Sequence, residues 1–281
     1  MAIKDILLPL VGEPDAAAIA AIDKCMAVAG DIGARVTAIT VEEDILVRPK
    51  VTILADLDNA AAAEAVRSVS NAHGLLEAFD AAAGRFSVRN EQRIYRFAAA
   101  DISANFAVFA RLKDLSLVPV KSHDSRSEKI VEGLIFESGR PILMCPEEFA
   151  AELTVAFDDV VIAWDHTAPA ARAVADALPW LRAAANVRIF TATDNKTPAE
   201  LESGTALVSH LAEHGIKATF EMIKIDGSSV GKVFEAYVKA NRIDLLIMGA
   251  YRHSRLNEMV WGGATKTVIT RPPPCWVLMS H

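Results

Sequence analysis

An alternation of apolar strand-like runs and helical runs passes along this chain twice, restarting near residue 155. That repeat constrains the fold more than any single motif. Crossover helices between successive strands require a parallel sheet, and a parallel sheet must be covered on both faces. In the first pass the apolar runs predict strands over 3–11, 35–41, 86–95, 115–120 and 142–145, with helices over 15–30, 57–83, 97–110 and 128–137. In the second pass they predict strands over 160–165, 187–192, 218–225, 245–248 and 275–279, with helices over 168–184, 198–213, 230–240 and 264–269. A period of half the chain is too long for a solenoid and suits tandem domains. The expected architecture is therefore α/β: two tandem five-stranded parallel sheets with helices on both faces. The expected boundaries are 1–146 for the first domain, 147–154 for a linker and 155–281 for the second.

Composition narrows the function classes. With 281 residues, each half is long enough to bury its own core. A hydrophobic content of 52% against 23% charged residues excludes a disordered chain. The formal net charge of −7 argues against nucleic acid as a partner, because such binding needs basic surface to displace counterions. Cys25, Cys145 and Cys275 are few, odd in number and widely spaced, so they give neither a disulfide framework nor a metal-binding spacing. Buried thiols are expected. No apolar run reaches membrane length, and residues 1–10 do not suit a signal peptide. A cytoplasmic protein without membrane contact is expected.

The chemistry concentrates in residues 244–265. Asp244 opens an apolar strand that stops at Gly249; a polar loop follows, and Gly262-Gly263 precede a short helix. A strand running into a glycine loop and then a helix start can hold an anion, because backbone amides at the helix N-terminus point at it. Other candidates are weaker. Asp165 ends a strand beside a helix start, where it either meets a ligand or caps the helix. His210 and His214 share a helix face at i, i+4, but no third ligand lies nearby in sequence, so surface histidines are expected rather than metal. His253-Ser254-Arg255 offers donors but also suits a solvated loop, and Trp261 reads as a packing anchor. No nucleophile elbow or Walker loop occurs, so no catalytic residue is assigned.

These residues resemble the universal stress protein family, and the whole chain looks like a tandem member of it. The family's nucleotide-binding members carry Gly-x-x-Gly, nine residues, then Gly and Ser or Thr after the fourth strand. Gly249 and Gly262 fill the first and third positions. The resemblance implies Rossmann-like domains of the adenine nucleotide alpha hydrolase-like type. It implies that Asp165 and the backbone at Ala192 contact the adenosine side, and that Gly249, Gly262, Gly263 and Thr265 hold phosphates. Pro274 and the strand after it match a closing strand that pairs across a dimer or pseudo-dimer axis.

Two departures qualify this expectation. Arg252 stands at the second glycine position, where it either fills the pocket or pairs with a phosphate in bidentate fashion. Gly263 replaces the usual hydroxyl residue but keeps its amide. The first half departs further. Val11 stands for Asp165, and Pro119 for Gly249. The following loop reads as about three residues shorter, which puts Lys129-Ile130 where Gly262-Gly263 would be. The expectation is a stress-response regulator that binds ATP, with only nucleotide-associated magnesium, in the second domain alone. A slow ATPase is the most enzymatic activity it would show. A homodimer or an intramolecular pseudo-dimer through the last strands is expected. The competing expectation is a nucleotide-free dimeric scaffold acting through protein contacts.

Overall fold

The computed structural model describes residues 3–45, 55–194, 197–250 and 263–281. The first pass contains β1 (Asp5–Leu10), α1 (Ala16–Asp31), β2 (Arg35–Glu43), α2 (Ala55–Arg85) and β3 (Asn90–Phe97). It continues with α3 (Ile102–Ala110), β4 (Leu115–Val120), α4 (Ser125–Glu137) and β5 (Ile142–Pro146). A 3-10 turn, Glu147–Phe149, leads on to β6 (Asp159–Ala163), α5 (Ala168–Ala183), β7 (Asn186–Ala192) and α6 (Pro198–Glu213). The chain closes with β8 (Ala218–Ile223), α7 (Val230–Asn241), β9 (Leu245–Gly249), α8 (Gly263–Thr270) and β10 (Trp276–Ser280).

The strands form one ten-stranded sheet in the order β3-β2-β1-β4-β5-β10-β9-β6-β7-β8. Each half repeats the order 3-2-1-4-5. The halves join where β5 and β10 pair antiparallel, through Met144 with Val277, Leu143 with Leu278 and Ile142 with Met279. The other eight neighbouring pairs of described strands are parallel.

Strand periodicity explains the two layers. Along β1, Ile6, Leu8 and Leu10 join one apolar cluster, while Leu7 joins the other. The first cluster collects buried faces of α1, α2, α5 and α6; the second collects those of α3, α4, α7 and α8. Both clusters run across the seam without interruption. Trp276 is fully buried there and donates its Nε1–H to the Thr154 carbonyl at 2.9 Å, so truncation to alanine would cost about 3–5 kcal/mol. All three cysteines are buried thiols. No helix among the described residues is long and apolar enough to cross a membrane.

Three elements differ most from the sequence expectation. Strand β3 runs over Asn90–Phe97 rather than 86–95, because its ladder with β2 continues to the Glu43–Phe97 pair. Helix α3 therefore starts at Ile102 rather than at Phe97. Helix α4 starts at Ser125 rather than Glu128, because the Asp124 carboxylate accepts the Ser127 amide hydrogen at 2.7 Å and caps the helix.

Candidate functional site

Strands β6 and β9 are neighbours, yet the chain leaves them in different directions. From β6 it passes through α5 to β7 on one side; from β9 it passes through α8 to β10 on the other. Diverging connections open a crevice at the carboxyl ends of such strands. A cavity of about 300 Å³ lies there, at the small end of the roughly 300–1,000 Å³ usual for small-molecule sites.

Its deep wall is apolar. Phe190 of β7 and Phe234 of α7 meet edge to face with centroids 5.0 Å apart, beside Val230, Ala163 and Met248. The rim is polar. The buried Thr191 hydroxyl donates to the Trp164 carbonyl at 2.8 Å and ties the ends of β7 and β6 together. Trp164 in turn donates its indole N–H to Ser203 of α6 at 2.7 Å. The exposed Asp165 follows directly. Its Oδ1 accepts from the Thr167 amide at 3.1 Å and from the Thr167 hydroxyl at 2.6 Å. Thr167, not Asp165, caps α5, accepting the Ala170 amide at 3.3 Å. Asp165 thus braces the cap and presents its carboxylate at the cavity rim.

Gly249 has a steric reason that phosphate binding does not supply. A Cβ there would lie 2.4 Å from the Ala170 nitrogen and 2.7 Å from the Pro169 carbonyl carbon. The first turn of α5 therefore rests on bare backbone at the end of β9. Gly263 is different: a Cβ there would meet nothing within 4 Å. It begins α8, whose first turn, Gly263 to Thr265, forms the remaining wall. The first turns of α5, α7 and α8 all border the cavity. The positive ends of their helix dipoles favour negative charge. No lysine or arginine lines the cavity among the described residues.

The structure thus gathers Asp165, Ala192, Gly249, Gly263 and Thr265 around one cavity. Arg252 and Gly262, together with His253-Ser254-Arg255 and Trp261, lie outside the described residues. Sequence reading missed Phe190, Phe234 and Val230, whose periodicity marks them only as core. It also missed the Thr191 hydroxyl, which nothing in its neighbourhood flags. His210 and His214 pack ring against ring at 4.9 Å, and the Arg182 guanidinium lies 3.3 Å from His214 Nδ1.

The register confirms the equivalences drawn for the first half. Ile6 pairs with Leu115 as Val160 pairs with Leu245, which sets Val11 opposite Asp165 and Pro119 opposite Gly249. The loop comparison falls on residues 251–262, outside the described residues. Over the whole connection, 26 positions separate the register-matched Ser116 and Ile142, against 31 between Leu246 and Val277, so the first half is five residues shorter there.

Among the described residues, two small cavities border the corresponding strand ends. One, of about 30 Å³, is enclosed by α2 and by an Arg126–Glu43 ion pair at 2.6 Å. The other, of about 20 Å³, is bordered by Val11, Pro119, Ser127 and Glu147. Burial pushes the Glu147 carboxyl up to about 7; the Asp15 carboxylate adds to the shift and Lys121 opposes it. Helix α2 spans 31 residues against 16 in its counterpart α6.

No family model matches the chain, and no curated protein does. Solved structures match over nearly the whole length. A universal stress protein from Archaeoglobus fulgidus DSM 4304 is 15% identical with a TM-score of 0.65, over 98% of this chain and 95% of that one. A putative universal stress protein from Pseudomonas aeruginosa UCBPP-PA14 is 11% identical with a TM-score of 0.57, over 99% and 93%. A functionally unknown protein from Pseudomonas aeruginosa PAO1 is 11% identical with a TM-score of 0.56, over 99% and 92%. The fold implied by the sequence resemblance is the fold these structures share.

Proposed function

We propose that the chain is a tandem universal stress protein, a cytoplasmic stress-response regulator whose second half binds one adenine nucleotide. The observation that carries this reading is the asymmetry of the halves: about 300 Å³ of open crevice in the second against about 30 and 20 Å³ in the first. The apolar wall of Phe190, Val230 and Phe234 suits a flat heterocyclic base. Asp165 accepts hydrogen bonds from the ribose hydroxyls, and the polar end of the Ala192 peptide faces the base edge. The phosphates lie toward Gly249 and the amides opening α8, where the helix end favours anions. Magnesium enters with the nucleotide. The role is binding, with no hydrolytic residue assigned.

Native mass spectrometry of the purified chain, alone and with magnesium ATP, tests this. One nucleotide per chain is expected, with binding weakened by Asp165→Ala. Two nucleotides per chain would overturn the asymmetry. No bound nucleotide in either sample would overturn the ligand reading and leave the scaffold reading.

A further inference from the structure

The cavity wall formed by α8 belongs to the second half, yet it is fastened to the first. Lys266, directly after Thr265 of the cavity wall, places its Nζ 2.7 Å from Glu128 Oε2 and 3.7 Å from Glu132 Oε1, both on α4. Glu128 leads in holding the ammonium above its ordinary pKa. Further along, the His123 amide donates to the Thr270 carbonyl at 2.7 Å. Ala250, on the other side of the 251–262 segment, has its carbonyl 2.9 Å from His281 Nδ1. The His281 ring packs edge-on against Phe136 of α4, with centroids 4.9 Å apart. Both flanks of that segment therefore connect to α4.

We infer that Lys266, Glu128 and Glu132 form a clamp through which the first half positions the α8 wall of the second half's cavity. They are positioning residues; none of the three lines the cavity. The first half, with its own crevice nearly closed, acts as the base on which the second half's site is set.

The ligand part of this inference rests on the nucleotide reading above, so its test has two arms. The variants are Lys266→Glu, Glu128→Lys and the double exchange. One arm measures hydrogen exchange at the α8 amides. The other measures the dissociation constant for magnesium ATP by titration calorimetry. Each single reversal is expected to speed α8 exchange about ten-fold and weaken ATP about three- to ten-fold, as expected for an ion pair turned into a repulsion. The double exchange is expected to bring both within about two-fold of the original chain. Unchanged α8 exchange in the single variants overturns the clamp, as does a double exchange that recovers neither quantity. Altered and rescued exchange with an unmoved dissociation constant overturns the positioning role. If the original chain binds no ATP, the nucleotide reading fails on its own, and the exchange arm still decides whether α8 is clamped.

Discussion

Asp114 and Asp244 do the same work in the two halves, whereas Val11 and Asp165 do not. Asp114 Oδ2 accepts the Lys4 and Asp5 amides at 2.8 and 3.0 Å, and Asp244 Oδ2 accepts the Asp158 and Asp159 amides at 3.1 and 2.9 Å. In both halves one carboxylate pins the start of the first strand to the start of the fourth. The carboxylate opening each first strand is also paired, though by cations at different positions: Asp5 with Arg35 and Lys113, Asp159 with Arg188. At the opposite ends of the strands the correspondence breaks down. One half ends in glycine, an exposed carboxylate and an open crevice; the other ends in proline, valine and a half-buried glutamate. The difference separates two demands on a single fold. The amino ends of the strands hold the sheet together, and the carboxyl ends can be opened or filled without altering the strand order.

The sharpest way to break this contrast is Gly249→Ala. The new methyl would meet the α5 backbone rather than a flexible side chain. A loss of about 3 kcal/mol is expected in urea denaturation, together with loss of ligand. A tolerated alanine would mean that close helix approach does not shape the crevice.

Glu147 tests the closed half. Its carboxyl is pushed up to about 7 from a usual 4.5. Below the lower value it is neutral in both the folded and unfolded chain. Between the two values it is neutral only when folded, so stability falls as pH rises. Above about 7 the deficit is complete, of the order of 3 kcal/mol. Denaturation at pH 5 and pH 8 should show that loss in the original chain and a flat response at this position in Glu147→Gln. Equal slopes for the two would mean that this carboxyl titrates normally.

The smallest effect compares matched threonines. Thr191 donates to Trp164, so Thr191→Val should cost about 1 kcal/mol. Thr40, its register counterpart, buries Oγ1 without a partner among the described residues, so Thr40→Val should be neutral or slightly stabilising. Melting temperatures of the two variants should move in different directions. Equal losses would place a hydrogen-bonding partner, such as a buried water, at Thr40.

Much of the fold was legible because its signals are local. The apolar run at 115–120 and the helical run at 198–213 match β4 and α6 residue for residue. The limits of β3 were harder to read, since the exposed Arg93 and Arg96 interrupt its pattern and only the ladder with β2 extends it to Phe97. Glycine spacing could not reveal the start of α4, because that helix is set by the Asp124 cap. At the site, Asp165 and Gly249 were visible by type and position, but the reason for Gly249 is contact with a helix 80 residues earlier in sequence. Phe190 and Phe234 come from different elements, and no spacing within either element announces that they meet.

The antiparallel seam has a consequence for solubility. Ile142-Leu143-Met144 and Val277-Leu278-Met279 are fully buried, uncharged and free of proline. Left unpaired, each would be an apolar strand edge ready to recruit a strand from another molecule. Covalent linkage supplies each edge with its mate at an effective concentration on the order of millimolar. The edges that remain, β3 and β8, are better guarded: β3 carries Glu91, Arg93 and Arg96, and β8 carries Glu221. Joining the halves in one chain thus withdraws the two most adhesive edges before they can find a stranger.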